Sequence, residues 1–219
     1  MTRSYEPLRL DVHHSRLASE VMGRAFQDDP GWQYLIPDHA RRLRLLPSFF
    51  HIVVHYGLRY GEVYTTSNIE GVACWLPPGN TTPLFSRLVR IGIREARLGL
   101  ELGWAGFRRY TVMEAYVDAV HRQCVPGQHW YLWAIGVDPP YQGQGIGGTL
   151  MQPVLARAGA DGLPCYLETS KERNVPFYKK YGFTVVSEGV VPKSSLRVWA
   201  MLRKPYRVPT SLPHSAPQT

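Results

Sequence analysis

Apolar and polar positions alternate weakly over Tyr5–Val12, which predicts a short first strand. Leu17, Val21 and Ala25 then recur every fourth residue, the face of a helix that Asp11 or Ser15 would cap. Asp28-Asp29-Pro30-Gly31 stops it, and Asp38 opens a second helix carrying Leu43, Leu46, Phe50 and Val54. Glu62–Thr66 and Gly71–Leu76 read as two strands joined through Ser67-Asn68, with Pro77-Pro78-Gly79 closing the unit. Helical periodicity runs from Pro83 to Cys124 with a break near Gly103–Gly106, a helical insertion of two pieces. Arg87, Arg90, Arg94 and Arg97 fall there at spacings of three and four, as on a solvated helix face. The second half predicts a strand at Trp130–Val137, a helix over Gly145–Ala158 burying Ile146, Leu150, Val154 and Leu155, and a strand at Cys165–Thr169. A short helix over Asn174–Tyr181 and strands at Phe183–Glu188 and Leu196–Arg203 complete the order. Seven strands and their helices make one α/β domain over residues 1–204, with the insertion at about 83–124, and the Pro/Ser/Thr-rich residues 205–219 read as a flexible C-terminal tail.

Composition narrows the class. A hydrophobic fraction of 44% against 19% charged residues, over 219 residues, excludes disorder as the main state. The net charge of +8 favours anionic partners. No basic-aromatic recognition motif points to nucleic acid, and no apolar run is long enough to span a membrane. Cys74, Cys124 and Cys165 lie far apart, with no CxxC pair, so neither a disulfide framework nor a zinc site is expected. His51 and His55 have the i, i+4 spacing of metal ligands, but no third ligand and no HExxH glutamate accompany them, so no metal is expected. A cytoplasmic protein with reduced thiols, a monomer or homodimer, fits this pattern.

Gln142-Gly143-Gln144-Gly145-Ile146-Gly147-Gly148 stands between a strand and a helix. Glycines allow positive φ and close approach, and successive N–H groups ahead of a helix form an anion cradle suited to a diphosphate. Gly143, Gly145 and Gly148 spell GxGxxG, and Glu168 follows Gly148 by twenty residues, as in a dinucleotide fingerprint. Against that reading, Asp138–Gln142 separates the strand from the first glycine. Too little chain follows Glu168 for a second nucleotide half, and Pro153 interrupts the helix. No Gly-Lys-Ser/Thr follows, which excludes a P-loop.

The same letters read as Gln142-x-x-Gly145-x-Gly147, after Val137-Asp138-Pro139 and ahead of Asn174-Val175-Pro176-Phe177-Tyr178-Lys179-Lys180-Tyr181-Gly182-Phe183. This constellation resembles the GNAT N-acetyltransferase superfamily, with Phe26–Pro30 similar to the end of its first helix in one branch. Leu167-Glu168-Thr169-Ser170, Arg173–Tyr178 and Pro153 are similar to the branch of puromycin N-acetyltransferase. The resemblance implies a mixed, mostly antiparallel seven-stranded sheet splayed at its centre, with helices on both faces. It implies acetyl-CoA as co-substrate and transfer to a primary amine of a small molecule, antibiotic-like amines included. A protein or peptide N-acetyltransferase and a non-catalytic acyl-CoA-binding regulatory module are the alternatives.

Under that resemblance Gln142, Gly143, Gln144, Gly145, Ile146, Gly147, Gly148 and Thr149 hold the coenzyme's diphosphate, and Ile135, Gly136 and Val137 pair with its pantetheine arm. Gly136 would mark a bulge or a splay that opens the sheet. Asn174 is read as a cofactor donor, as a helix cap, or as both. Tyr178, one turn on from Asn174, is the candidate general acid, and Tyr181 is read as packing. Glu168 is the candidate base, acting through water, or else a structural carboxylate bonded to backbone N–H groups or paired with Lys171 or Arg173. Trp32, Tyr34 and Trp75 are candidates for the acceptor wall. Cys165, inside a strand without a histidine partner, disfavours a covalent intermediate.

Overall fold

A computed structural model describes residues 4–81 and 94–205, with the side chains of 94–100 left aside. The predicted tail and residues 82–93, including Arg87 and Arg90, lie outside the described residues. So do the side chains of Arg94 and Arg97.

Along the chain run β1 (Leu8–Arg9), α1 (Ser15–Ala25), α2 (Pro30–Leu35), α3 (His39–Tyr60), β2 (Glu62–Thr65), β3 (Gly71–Leu76) and α4 (Arg94–Cys124). They are followed by β4 (Trp130–Val137), α5 (Ile146–Ala160), β5 (Cys165–Thr169), α6 (Asn174–Lys179), β6 (Thr184–Val190) and β7 (Arg197–Arg203). The described strands form one seven-stranded sheet in the order β1-β2-β3-β4-β5-β7-β6. Every pairing is antiparallel except β4 with β5. The expected mixed sheet is therefore present.

The first strand is shorter than its pattern suggests: only Leu8 and Arg9 pair, with Thr65 and Tyr64. Asp11 caps a single 3₁₀ turn, Val12–His14, by accepting from the His13 N–H at 2.8 Å, and α1 begins at Ser15 without a side-chain cap. The apolar stripe of α1 is one residue round from the expected one: Ala18, Val21 and Met22 are buried, whereas Leu17 is exposed. Leu43 is exposed in the same way, because α3 turns Leu45, Leu46, Phe50 and Val54 inward. Between them lies α2, a single helix of six residues too short for periodicity to reveal. Asp29 caps it, accepting from the Gly31 and Trp32 N–H groups, and Pro30 takes the first helical position, where its missing N–H costs nothing. The predicted break in the insertion is at Gly103, whose φ of 65° interrupts α4.

Helices cover both faces. On one side α5 and α6 bury Trp75, Trp130, Leu132, Leu167, Trp199 and Met201. On the other, α1 and α3 cover Val63, Val72 and Cys74, while α4 reaches Tyr166 and Ala200. Gly136 is not the bulge. An added Cβ there would lie 2.8 Å from Ala25 Cβ and 2.9 Å from Met22 Sδ, so this glycine lets α1 sit down on β4. The register slip falls instead between Cys74 and Trp75, which pair with Ala134 and Leu132 and leave Trp133 over. Because of that extra residue, Trp133 and Ala134 both turn toward the α1/α3 face.

Candidate active site

The central opening follows from β4 and β5. They pair at Trp130 with Cys165 and at Tyr131 with Tyr166, and beyond that point no pairing joins them. The ends of both strands, Ile135–Val137 and Glu168–Thr169, thus flank a wedge in the sheet. Ile135 and Val137 are half-buried, as strand ends beside an opening are.

At the mouth of the wedge stands the glycine-rich turn. Gly143 and Gly145 have φ of 79° and 85°, and an added Cβ would meet nothing within 4 Å at either. The turn therefore presents backbone to open space. Gly145 caps α5 without a side-chain hydrogen bond, so the first N–H groups of α5 keep their helix-end donors available. The glutamines are engaged elsewhere. Gln142 donates to the Val137 carbonyl at 3.0 Å, and Gln144 accepts from the Tyr5 hydroxyl at 2.7 Å. Arg24 braces the entry to the turn, donating to both carboxylate oxygens of Asp138 at 2.9 and 2.6 Å. A backbone cradle with a helix N-terminus behind it fits a diphosphate. Gly147 and Gly148 have a different task. An added Cβ at Gly148 would lie 1.7 Å from the Tyr181 hydroxyl and one at Gly147 3.2 Å from Phe177 Cζ, so both serve the docking of α6 on α5. Thr149 is half-buried one turn inside α5, its N–H bonded to the Gly145 carbonyl at 3.1 Å.

Tyr178 of α6 lies in the core on the α5 side of the sheet, packed between Phe177 and Phe183 and 5% exposed. Burial, and secondarily the charge of Asp29, pushes its phenol above the ordinary range. Its proton is therefore held more tightly than in water. Asn174 begins α6 and donates weakly to Thr169 Oγ1 at 3.4 Å, tying α6 to the end of β5. Tyr181 packs on Phe177, as expected of it.

Glu168 lies on the opposite face. Its neighbour Leu167 joins the α5 core and Tyr166 the α4 core, so the alternation of β5 sends Glu168 toward α4. There its carboxylate, 9% exposed, lies 3.6 Å from His121 Nδ1. The contact found for it is with His121 of α4. The acid and base candidates accordingly flank the wedge from its two faces.

The three aromatic candidates separate. Trp32 and Tyr34 lie half-buried on α2, Trp32 against Phe49 and Phe50, and Tyr34 beside Arg109 of α4, whose guanidinium donates to the Tyr34 carbonyl at 3.0 Å. Trp75 is wholly buried beneath α5, on the other face of the sheet, and leaves no surface for a substrate. A central strand packed on both sides places aromatics inward on either face, which is why its position misled. The rings of His51 and His55 lie tilted against each other at 4.2 Å, and no metal-holding group of three or more ligands occurs among the described residues.

Several residues of the region carry no local sequence signal. Ser170, just past β5, donates to Asp29 at 3.1 Å and locks α2 across the opening. Burial pushes the Asp29 carboxyl up, against the pull of Lys171 and its hydrogen bonds. Trp133 stands half-buried at the bulge, edge-on to Tyr56. His121 and His129 share a hydrogen bond at 2.8 Å between their Nε2 atoms.

The sequence profile of the Acetyltransferase (GNAT) family matches residues 101–183, which span the second piece of α4, β4, the glycine turn, α5, β5 and α6. Over that stretch the chain is similar to the GNAT acetyltransferases. An uncharacterized N-acetyltransferase of Schizosaccharomyces pombe is 26% identical to it over 207 residues, 90% of this chain and 82% of that protein. Among solved structures, a Corynebacterium glutamicum protein described as histone acetyltransferase HPA2 and related acetyltransferase superposes with a TM-score of 0.69. It has 22% identity and covers 94% of this chain and 98% of its own. A Drosophila melanogaster polyamine N-acetyltransferase superposes with a TM-score of 0.58 at 15% identity, covering 92% and 100%. The topology accounts for the imitation of a dinucleotide fingerprint. β4, α5 and β5 do form a parallel βαβ unit, set in a sheet that is otherwise antiparallel.

Proposed function

We propose that this acetyltransferase moves the acetyl group of acetyl-CoA to the primary amine of a small molecule by direct attack in the wedge between β4 and β5. The observation that carries the reading is the placement of Glu168 and Tyr178 on opposite faces of that wedge, beside a backbone cradle with open space above it. Acetyl-CoA supplies an activated acyl group whose thiolate is a tolerable leaving group.

The chain's residues divide the remaining work. N–H groups of Gly143–Gly148 and the α5 N-terminus hold the diphosphate. The free edge of Ile135–Val137 offers strand-like hydrogen bonds to the pantetheine amides, and an N–H near Val137 polarises the thioester carbonyl. Glu168 takes a proton from the incoming ammonium, directly or through a water. A lysine-like amine costs about 4.6 kcal/mol to neutralise at pH 7 and an α-amine about 1.4, so the base matters most for strongly basic acceptors. Tyr178 donates a hydrogen bond to the sulfur as the carbon–sulfur bond breaks. Full transfer from an unperturbed phenol to a thiolate is uphill by roughly 2 kcal/mol, and burial widens the gap.

The shape of the acceptor side favours a small molecule over a peptide. α4 lies across β6 and β7 on that face, with Met113 and Tyr116 packed on Val191, Leu196 and Val198. Trp32, Tyr34 and Trp133 supply aromatic faces there, and Asp29 and Glu168 supply negative charge, a combination that attracts a cation. The Drosophila neighbour forms N-acetylagmatine, and Leu167–Ser170 with Arg173–Tyr178 resembles puromycin N-acetyltransferase. Agmatine, spermidine, tyramine and an aminonucleoside therefore form the first panel. Thiol release and product mass with each amine test the reading. Absence of heat on titrating acetyl-CoA into the protein would remove it.

A further inference from the structure

We propose that His121 is the proton partner of Glu168 and that His129 fixes His121 in the tautomer this role requires. The inference rests on the reading of Glu168 as the acceptor-side base. It begins at a backbone carbonyl. His129 Nδ1 lies 2.6 Å from the oxygen of Gly127, and a carbonyl only accepts, so Nδ1 carries the hydrogen. Burial lowers the proton affinity of His129, which keeps the ring neutral and leaves Nε2 as an acceptor. His121 Nε2, at 2.8 Å, must then donate to it. The remaining nitrogen, His121 Nδ1, is bare in the neutral ring and faces Glu168 Oε1 at 3.6 Å. That separation suits a ring with no hydrogen to donate there.

The chain thus ends on one basic nitrogen beside one carboxylate, in a place closed to bulk water: His121 is 6% and His129 4% exposed. Tyr166 of β5 stacks on the imidazole of His121 at 4.2 Å, Tyr131 of β4 lies at 4.7 Å, and His129 at 4.9 Å. Cys124 is one turn along α4, its thiol raised by burial and then by Glu168. A proton delivered to His121 Nδ1 is stabilised by its contact with the Glu168 carboxylate.

The step balances simply. The ammonium N–H bond breaks, and its electron pair stays on nitrogen to attack the acyl carbon. The proton passes to Glu168 and on to His121 Nδ1, giving a carboxylate–imidazolium pair. It returns to water through the same carboxylate once product has left. A carboxylate alone would hold the proton weakly against an amine; the added imidazole moves the proton sink toward the amine's own range.

Histidine ¹⁵N spectra of the full chain without coenzyme test the arrangement, with assignments from His121→Gln and His129→Gln. The expected result is an Nδ1–H tautomer for His129 and an Nε2–H tautomer for neutral His121, with the titration of His121 moving to lower pH in Glu168→Gln. A neutral His121 carrying Nδ1–H, or a His121 titration indifferent to Glu168→Gln, would overturn the proposal. Kinetics with tyramine supply the second arm. His121→Gln is expected to lower kcat roughly 100-fold with KM for acetyl-CoA unchanged, and to displace the acid limb of the pH profile. His129→Gln is expected to displace the same limb with a smaller loss. An unmoved limb in His121→Gln would assign the histidines to packing. Because the spectra need no substrate, a protein that failed to bind acetyl-CoA would sink the proposed function without touching the tautomer result.

Discussion

Tyr178 and Glu168 make opposite demands on pH. Burial raises the phenol of Tyr178 above its ordinary value of 10.0, so its proton-bearing form persists to higher pH than that of a free tyrosine. The rate with acetyl-CoA should therefore show no loss from tyrosine ionisation up to about pH 10. On the proposed mechanism, Tyr178→Phe removes one hydrogen bond to a developing thiolate. The expected cost in kcat is roughly 10- to 100-fold, the weight of a bond to a charged group, with little change in KM for acetyl-CoA. A larger loss with a new alkaline limb would make Tyr178 a full proton donor. For Glu168→Gln the expected loss is about 100-fold at pH 7, shrinking as pH approaches the acceptor's pKa and the neutral amine becomes abundant. A deficit constant from pH 7 to 10 would mark Glu168 as structural. How much of this was legible in the sequence differs residue by residue. Glu168 and Tyr178 stand inside a recognisable local pattern. His121 does not, since 47 residues separate it from Glu168 and only the packing of α4 on β5 brings them together.

At the level of elements, the turn ahead of α5 and the seat of α1 on β4 depend on glycine for different reasons. Gly145 needs its φ of 85°, where a Cβ is strained although nothing crowds it. Gly145→Ala should cost about 1 kcal/mol of stability. It should also weaken acetyl-CoA binding by more than that strain alone, since the side chain enters the open cradle; calorimetry of the folded variant measures it. Gly136→Val instead drives methyl groups into Ala25 and Met22. It should destabilise the fold by about 1–3 kcal/mol in denaturant melts, as overpacking does, before any effect on the coenzyme. Strands such as β4 were readable to the residue, because an apolar run is bracketed by Pro126-Gly127 and Asp138-Pro139. The short helix α2 was not. Its six residues are held by the Asp29 cap and by Ser170 across the opening, a long-range contact with no periodicity. The bulge at Trp133 was also hidden, since it is defined by pairing with β3 and not by any residue of β4.

Across the whole molecule, the three cysteines report on the integrity of both faces of the sheet. Cys74 of β3 belongs to the core under α1 and α3, and Cys165 of β5 to the core under α5. Burial pushes Cys74 to about 12 and Cys165 to about 11, the latter against the pull of Arg203. Near neutral pH neither forms a thiolate while the chain is folded, and neither is within reach of a reagent. Cys124, at the end of α4, is only half-buried, though burial and Glu168 raise its thiol too. Treating the native protein with an aromatic disulfide reagent at pH 8 should label Cys124 slowly and leave the others untouched. Once denaturant is added, Cys74 and Cys165 should become reactive together, because the single sheet joins the two cores through β3, β4 and β5. The logic extends to acid. A neutral, buried His129 has its proton affinity lowered from the ordinary 6.5, so it contributes stability above that pH that is lost as pH falls through its depressed folded value. Asp29 acts in the other sense, its raised carboxyl contributing stability at low pH that is lost as pH climbs from 3.8 through its folded value. Replacing His129 with Gln should flatten the fall in melting temperature below pH 6.5. Labelling of Cys165 ahead of Cys74 at a pH where His129 becomes charged would show that the α5 face opens before the α1/α3 face, and that the sheet does not yield as one unit.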